Sequence, residues 1–250
     1  ENNISQIFGQ IEDYFGTPVS KMDIEKYVGI ILIDGMSGAE EKLMDSVGNL
    51  TDLTFVGGAA GDDLKFSETF VFADGKASSN AAVVAVLKLK NGFDVLKTQS
   101  FLTTDKKLQA TEVDEASRRV VNFNNEPAAR AYAAALGCST EEAQGKFMSN
   151  PVGLMVGDEP YIRSPQRFEG SDIIFYCNIK QGMELDLMSS TNIVRDTKTA
   201  VQNKQKEIGD FSGIVDFHCI LRTLELQQNN QCDEYGAIFK DIPTIGLTTY

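Results

Sequence analysis

GIILIDGMSGAEEKLMDSVGNLTDLTFVGGAAGDD runs from Gly29 to Asp63, and its pattern sets the fold class. With Tyr27 and Val28 in front, it opens on an unbroken apolar run, YVGIILI, rich in β-branched residues. That composition predicts a strand covered on both faces. A helix is predicted next: Ser37 and Glu40 are spaced as a capping box, Glu40 and Glu41 stand where a helix N-terminus favours negative charge, and Leu43, Met44 and Val47 are placed for burial. The strand LTFVGG follows. Strand, helix and strand thus fit within about thirty residues, the length of a βαβ unit with parallel strands.

The run GGAAG raises the question of a phosphate loop. Such loops open directly into a helix, whose N-terminal N–H groups hold the anion. Here residues 65–89, KFSETFVFADGKASSNAAVVAVLKL, predict a hairpin instead, with aromatics at 66, 70 and 72, a turn at Asp74-Gly75 and a second strand at 81–89. The glycine spacing matches neither the dinucleotide fingerprint nor the Walker loop. Gly57 and Gly58 are therefore expected to permit a tight turn and close backbone approach, and as the sharper reading to wall a ligand pocket. Asp62 and Asp63 serve either to cap this turn or to bind a cation or a ligand ammonium.

Composition excludes several functions. The 250 residues carry 36 acidic against 23 basic side chains, a formal charge of -13, with no basic cluster longer than a pair. Nucleic-acid and anionic-membrane partners, which require phosphate neutralisation, are not expected. No stretch reaches the roughly 18 to 20 apolar residues that span a bilayer. Cys138, Cys177, Cys219 and Cys232 form no CxxC motif, which argues for reduced thiols in a cytoplasmic protein. His218 is the single histidine. A multi-histidine metal site is excluded by counting, and so is a nucleophile–histidine pair located away from residue 218.

Elsewhere ISQIFGQIEDYF places Ile4, Ile7, Phe8 and Ile11 at helical spacing. Residues 92–110 are strand-rich. EVDEASRRVVNFNNEPAARAYAAALG predicts two helical pieces, the second bracketed by Pro127 and Gly137. STEEAQGKF predicts a short helix with Ser139 and Glu142 as a capping box. Two short strands joined at Gly157-Asp158 are expected in NPVGLMVGDEPYIRSP, and a hairpin turning at 180–182 in SDIIFYCNIKQGMELDLMSS. A helix over 193–207, a strand over 213–222, a poorly patterned helical stretch and a final strand in IPTIGLTTY complete the chain.

The stretch from Gly29 has an echo in GIVDFHCILRTLELQQNNQCDEYGAIFKDIPTIGLTTY from Gly213: glycine, apolar strand, polar step, helix, strand, small-residue turn. In that overlay Asp34 falls on His218 and the pair Gly57-Gly58 near Gly246. Either a true repeat or two unrelated strand–helix–strand units would give this plan.

GMSGAEEKLMDSV, FVGGAAGDDLKFSETFVFADGKASSNAAVVAVL, NFNNEPAARAYAAALG, NPVGLMV, DFHCILR and IPTIGLTTY, in that order, resemble the FIST domain, a sensory module of bacterial signal-transduction proteins. The resemblance divides the chain into an N-terminal helical segment of a truncated upstream region (1–26), an N-terminal half (27–137) and a C-terminal half (138–250) that is incomplete at its end. It implies a mixed α/β (α+β) fold, β-sheets flanked by helices; two related strand–helix–strand halves follow if the internal echo is a true repeat. It further implies a cytoplasmic domain that binds a small ligand, an amino acid or related metabolite. The signal would pass to an output domain in the same or a partner protein, such as a kinase, chemoreceptor or cyclic-dinucleotide enzyme. Some members are haem-binding nitric-oxide sensors. No catalytic residues carry over, so the chain is not expected to be an enzyme and no cofactor is expected, haem being the alternative. A ligand-free protein-interaction adaptor is a further reading.

Alternation along 213–222 places Val215, Phe217, Cys219 and Leu221 on a core face, and Asp216, His218 and Arg222 on the other. An amino acid needs a cation for its carboxylate and an acid for its ammonium, which Arg222 and Asp216 supply. The same residues also suit an internal Arg–Asp pair with His218 as a bystander. His218 would be the ligand if haem bound. Arg163, in the polar cluster YIRSP, and Tyr250 rank after Arg222 as ligand contacts. Hydrolysis through Cys219 and His218 fails, because adjacent strand residues point to opposite faces.

Overall fold

The computed structural model describes residues 2–250, which form two compact units. One comprises residues up to Lys97 together with Val201–Tyr250; the other is Thr98–Ala200. In chain order the first unit begins with α1 (Asn2–Phe15), β1 (Tyr27–Asp34), α2 (Glu40–Gly48), β2 (Phe55–Ala60), β3 (Val71–Ala73), β4 (Lys76–Ser78) and β5 (Ala82–Lys88). The second contains β6 (Phe101–Asp114), β7 (Arg119–Phe123), β8 (Glu126–Pro127), α3 (Ala128–Leu136), α4 (Thr140–Ala143), β9 (Val152–Val156), β10 (Glu159–Arg163), β11 (Pro165–Glu169), β12 (Asp172–Phe175) and β13 (Glu184–Ser190). Helix α5 (Ile193–Ile208) is divided between the units, and β14 (Ile214–Cys219), α6 (Ile220–Gln228), α7 (Cys232–Ala237) and β15 (Thr244–Thr249) return to the first. The fold is mixed α/β, as expected.

In the first unit, β1 is the middle strand of three, parallel to β2 and antiparallel to β5. Both faces of β1 are largely covered, which its continuous apolar run requires. Ile4 and Phe8 of α1 join Tyr27, Ile31, Val47 and Leu53 in one core, with Ile7 and Ile11 packed against it. The helical spacing of those four residues is thus the stripe that docks α1. Strands β14 and β15 form a second parallel pair, joined through helices. The echo read in the sequence corresponds to two parallel strand–helix–strand units.

Several local expectations change here. Gly57 and Gly58 lie within β2 rather than in a turn, because their segment pairs in register with Ile31 and Leu32 of β1. Ser37 does not cap α2: its hydroxyl donates to the Asp34 carbonyl in the turn after β1, and Ala39 is the N-cap. Met44 points outward and is exposed. The Asp74-Gly75 turn joins β3 to the short β4, while β5 pairs with β1, whose edge offers a longer apolar partner.

The second unit is an eight-stranded sheet in which β10-β9-β13-β6-β7-β12-β11 run side by side and β8 pairs with β7. β10 and β11 stand at opposite ends of that order, yet only Ser164 separates them in sequence. The sheet must therefore curl until its edges approach, which gives its near-closed, barrel-like form. Leu108, Val120, Phe123, Tyr132, Val152, Ile173 and Leu185 are among the residues that fill it. The Tyr132 hydroxyl, the polar tip of the largest of these, donates to the Asn150 carbonyl at 2.7 Å. Pro127 and Gly137 bracket α3, and Ser139 and Glu142 form a complete capping box on α4, both as predicted.

Two predictions fail in this unit. The first helical piece expected in 112–124 is a single 3-10 turn, Glu115–Ser117, between β6 and β7, because Val120 and Val121 are taken up by strand pairing. The expected hairpin over 171–190 is absent: β12 pairs with β11 and β7, and β13 with β6 and β9. Alternating apolar residues mark strands but leave their partners open.

Candidate functional site

The parallel pair β14–β15 ends at Cys219 and Thr249, where α6 begins at once with Ile220. The strand predicted to reach Arg222 is therefore shorter, and Arg222 sits in the first turn of a helix. From Leu221 onward the chain is rich in Leu, Arg, Glu and Gln, good helix formers that displace the β-branched pattern. The predicted core face is also reversed: Val215 and Cys219 are exposed. The face carrying Asp216 and His218 is instead covered by the helices, Tyr235 of α7 lying over the imidazole with ring centroids 5.0 Å apart.

The polar residues of this junction still meet. His218 Nδ1 lies 3.2 Å from the Tyr235 hydroxyl and 3.8 Å from Asp216 Oδ2, while Nε2 is buried and has no hydrogen-bond partner. Burial and then the nearby Arg222 guanidinium hold the imidazole pKa below its ordinary value, against the opposite pull of Asp216. With Nδ1 facing Tyr235 and Asp216, Nε2 is the ring nitrogen left for an outside partner. Burial pushes the Glu225 carboxyl up, with Arg222 opposing. No side chain caps α6, and the helix dipole is positive at this end, in the turn that carries Arg222.

The other predicted residues fall into three places. Gly58 adjoins the junction: a Cβ there would come within 2.3 Å of the Thr249 methyl, and the Thr249 hydroxyl donates to the His218 carbonyl at 3.4 Å. Gly57 packs its backbone on β1, where a Cβ would lie 1.7 Å from the Ile31 carbonyl oxygen, at a φ of 154°. Asp62 and Tyr250 form a cluster of their own. The Asp62 carboxylate accepts the backbone N–H groups of Phe66, Ser67 and Glu68 and the Tyr250 hydroxyl, and the tyrosine ring stacks on Phe66. These bonds, the one from Tyr250 foremost, hold the Asp62 carboxyl far below the usual range despite some desolvation. Asp63 is exposed in the same loop. Arg163 belongs to the second unit, at the end of β10.

Sequence reasoning missed Tyr235, Glu225 and the structural role of Asp34. Asp34 is only 4 % exposed, and its carboxylate accepts from Thr69 and from the Met36 and Asn80 N–H groups. Burial opposes its ionisation, but these bonds outweigh it and keep the carboxyl below its ordinary range. Its signal was an acid closing a covered apolar strand. Tyr235 had none, since its approach to His218 depends on how α6 and α7 fold back.

The FIST N domain profile matches residues 2–126 and the FIST C domain profile residues 128–250. The chain belongs to the FIST family. FIST domains are sensory modules of signal-transduction proteins, and the two profiles span nearly the whole chain. No curated protein and no solved structure matches it. Among the described residues, no helix of this FIST chain is long and apolar enough to cross a membrane, and no group of three or more His, Cys, Asp and Glu side chains could hold a metal ion.

Proposed function

We propose that this FIST chain binds a small zwitterionic metabolite, an amino acid or close relative, at the β14–α6 junction, and that occupancy regulates an attached output domain. One observation carries the reading: His218 Nε2 is a buried ring nitrogen without a hydrogen-bond partner, on an imidazole that has Asp216 on its Nδ1 side and feels the charge of Arg222. A ligand ammonium donates to Nε2, with Asp216 supporting the imidazole from its Nδ1 side; its carboxylate takes Arg222 and the uncapped N–H groups of α6. The signal follows only if the ligand binds two arrangements of the domain unequally. The four cysteines, none of them in a disulfide among the described residues, support a cytoplasmic setting.

Haem fits these residues poorly. A neutral imidazole can ligate iron, yet this one is enclosed by Asp216, Tyr235 and Arg222 rather than by the broad apolar walls a porphyrin needs. A Soret band that appears on haem addition and is lost in His218→Ala would replace the amino-acid reading. A ligand-free adaptor is favoured by one feature, the apolar exposure of Val215, Ile245 and Leu247 on the paired strands.

Thermal-shift screening against the twenty amino acids and their keto acids separates these readings. A ligand at a hundred times its Kd adds about 2.7 kcal/mol, a rise of roughly 5–10 °C for a chain this long. His218→Ala and Asp216→Asn should abolish the rise. If no compound in the panel shifts the native chain, the metabolite reading fails and the adaptor stands.

A further inference from the structure

Among the arginines of the second unit, Arg119, Arg130, Arg167 and Arg195 each face a carboxylate. Arg163 does not. Its Nη1 reaches only the carbonyl of its own neighbour, Ile162, at 3.3 Å, and its Nε is buried with no partner among the described residues. In a chain of net charge -13, a half-buried guanidinium without an acid is an exception that electrostatics alone would not produce.

Its position in the sheet gives it a direction. Arg163 is registered opposite Val152 of β9, which is registered opposite Leu187 of β13, and registered residues share a face. Val152 and Leu187 are core residues, so Arg163 is carried on the inner face, on the edge strand where the curled sheet approaches closure. The next residue, Ser164, accepts from the Tyr176 N–H, and the Tyr176 carbonyl takes Nη1 of Arg118 at 2.8 Å. Two guanidinium groups therefore border this seam.

We infer that Arg163 anchors a separate oxyanion site at the seam of the second unit, taking a small carboxylate or phosphate group. The buried Nε–H and an Nη–H form the fork that two oxygens of such an anion fill together, a geometry that a lysine or a chloride ion does not reproduce.

The test follows the Nε–Hε resonance of Arg163 in the 15N-labelled full chain, assigned by its loss in Arg163→Lys. Sodium acetate and inorganic phosphate are titrated separately, with sodium chloride at matched ionic strength. A saturable shift with acetate alone assigns a carboxylate, one with phosphate alone a phosphoryl group, and both together a general oxyanion site. Arg163→Lys, which keeps the charge, should weaken binding about tenfold or more. Arg163→Met should leave folding in chloride intact or improve it and lose the anion-dependent rise in Tm. A shift that chloride reproduces, no shift at all, or a destabilised Arg163→Met in chloride would each overturn the site. His218→Ala is titrated alongside: an Arg163 response that persists there stands whether or not the metabolite reading survives.

Discussion

Alanine at three glycines tests how β2 is packed. At Gly57 a Cβ would sit 1.7 Å from the Ile31 carbonyl oxygen and 2.7 Å from its carbon, both backbone atoms of the paired strand, at a φ of 154°. Neither neighbour can rotate away. Conformational strain of about 1–3 kcal/mol adds to an overpacking cost of about 1–3 kcal/mol, so Gly57→Ala should lose about 4 kcal/mol, a large part of a typical stability of about 5–15 kcal/mol. At Gly58 the obstacle is a side chain: the Thr249 methyl at 2.3 Å and its Cβ at 2.8 Å. Gly58→Ala should cost about 1–3 kcal/mol. Thr249→Ala removes the nearer atom, so the double variant should be less damaged than the sum of the singles by about 1 kcal/mol. Gly145, with nothing within 4 Å, is the control, and its alanine should change stability by no more than about 1 kcal/mol. Urea unfolding followed by far-ultraviolet circular dichroism measures all four. If Gly57→Ala matched Gly145→Ala, or if Gly58 and Thr249 proved additive, the close packing of β2 between β1 and β15 would be wrong.

Two further outcomes follow. Ser139→Ala removes one half of the capping box on α4 and should cost about 1 kcal/mol in the same assay, with Ser139→Asp close to neutral. His218 gives a pH dependence. Its folded pKa lies below 6.5, so as pH falls below that value the unfolded chain takes up the proton first. Stability is full above about 6.5, declines as pH falls towards the depressed folded value, and is level beneath it. Because His218 is the single histidine, one imidazole resonance reports the titration directly. A midpoint at or above 6.5 would refute the burial described here, as would an unchanged acid response in His218→Gln.

Legibility followed the range of the forces involved. The unit from Tyr27 to Ala60 could be read because a covered strand, a docked helix and a second strand each leave a local mark. The stripe of α1 and the capping box of α4 are local in the same sense. Strand partnership is not local. Residues 172–175 and 184–190 carry the alternation a hairpin would need, yet each pairs elsewhere, and nothing within the segment distinguishes the two outcomes. The return of residues 201–250 to the unit begun by the first 97 is likewise decided by packing between segments far apart in the sequence. At 112–117, helix-forming Glu and Ala lost to strand pairing, with Arg118 turning the chain at a φ of 52°.

The polar junction shows how a misplaced boundary can preserve the residues and alter their chemistry. Reading a strand through Arg222 puts the guanidinium on the same pleated face as Asp216 but, at about 3.3 Å per residue, about 20 Å along it. Ending the strand at Cys219 moves Arg222 into the first turn of α6, beside uncapped N–H groups whose dipole already repels a cation. A positive side chain there is poorly placed for the helix and well placed for an anion. The glycines of β2 show the converse. Their N–H and carbonyl groups belong to a strand paired with β1, and the space their missing side chains leave is filled by the Ile31 backbone and Thr249. In the proposed reading the anion is held instead at the start of α6, where the first N–H groups of a helix have no intrahelical use.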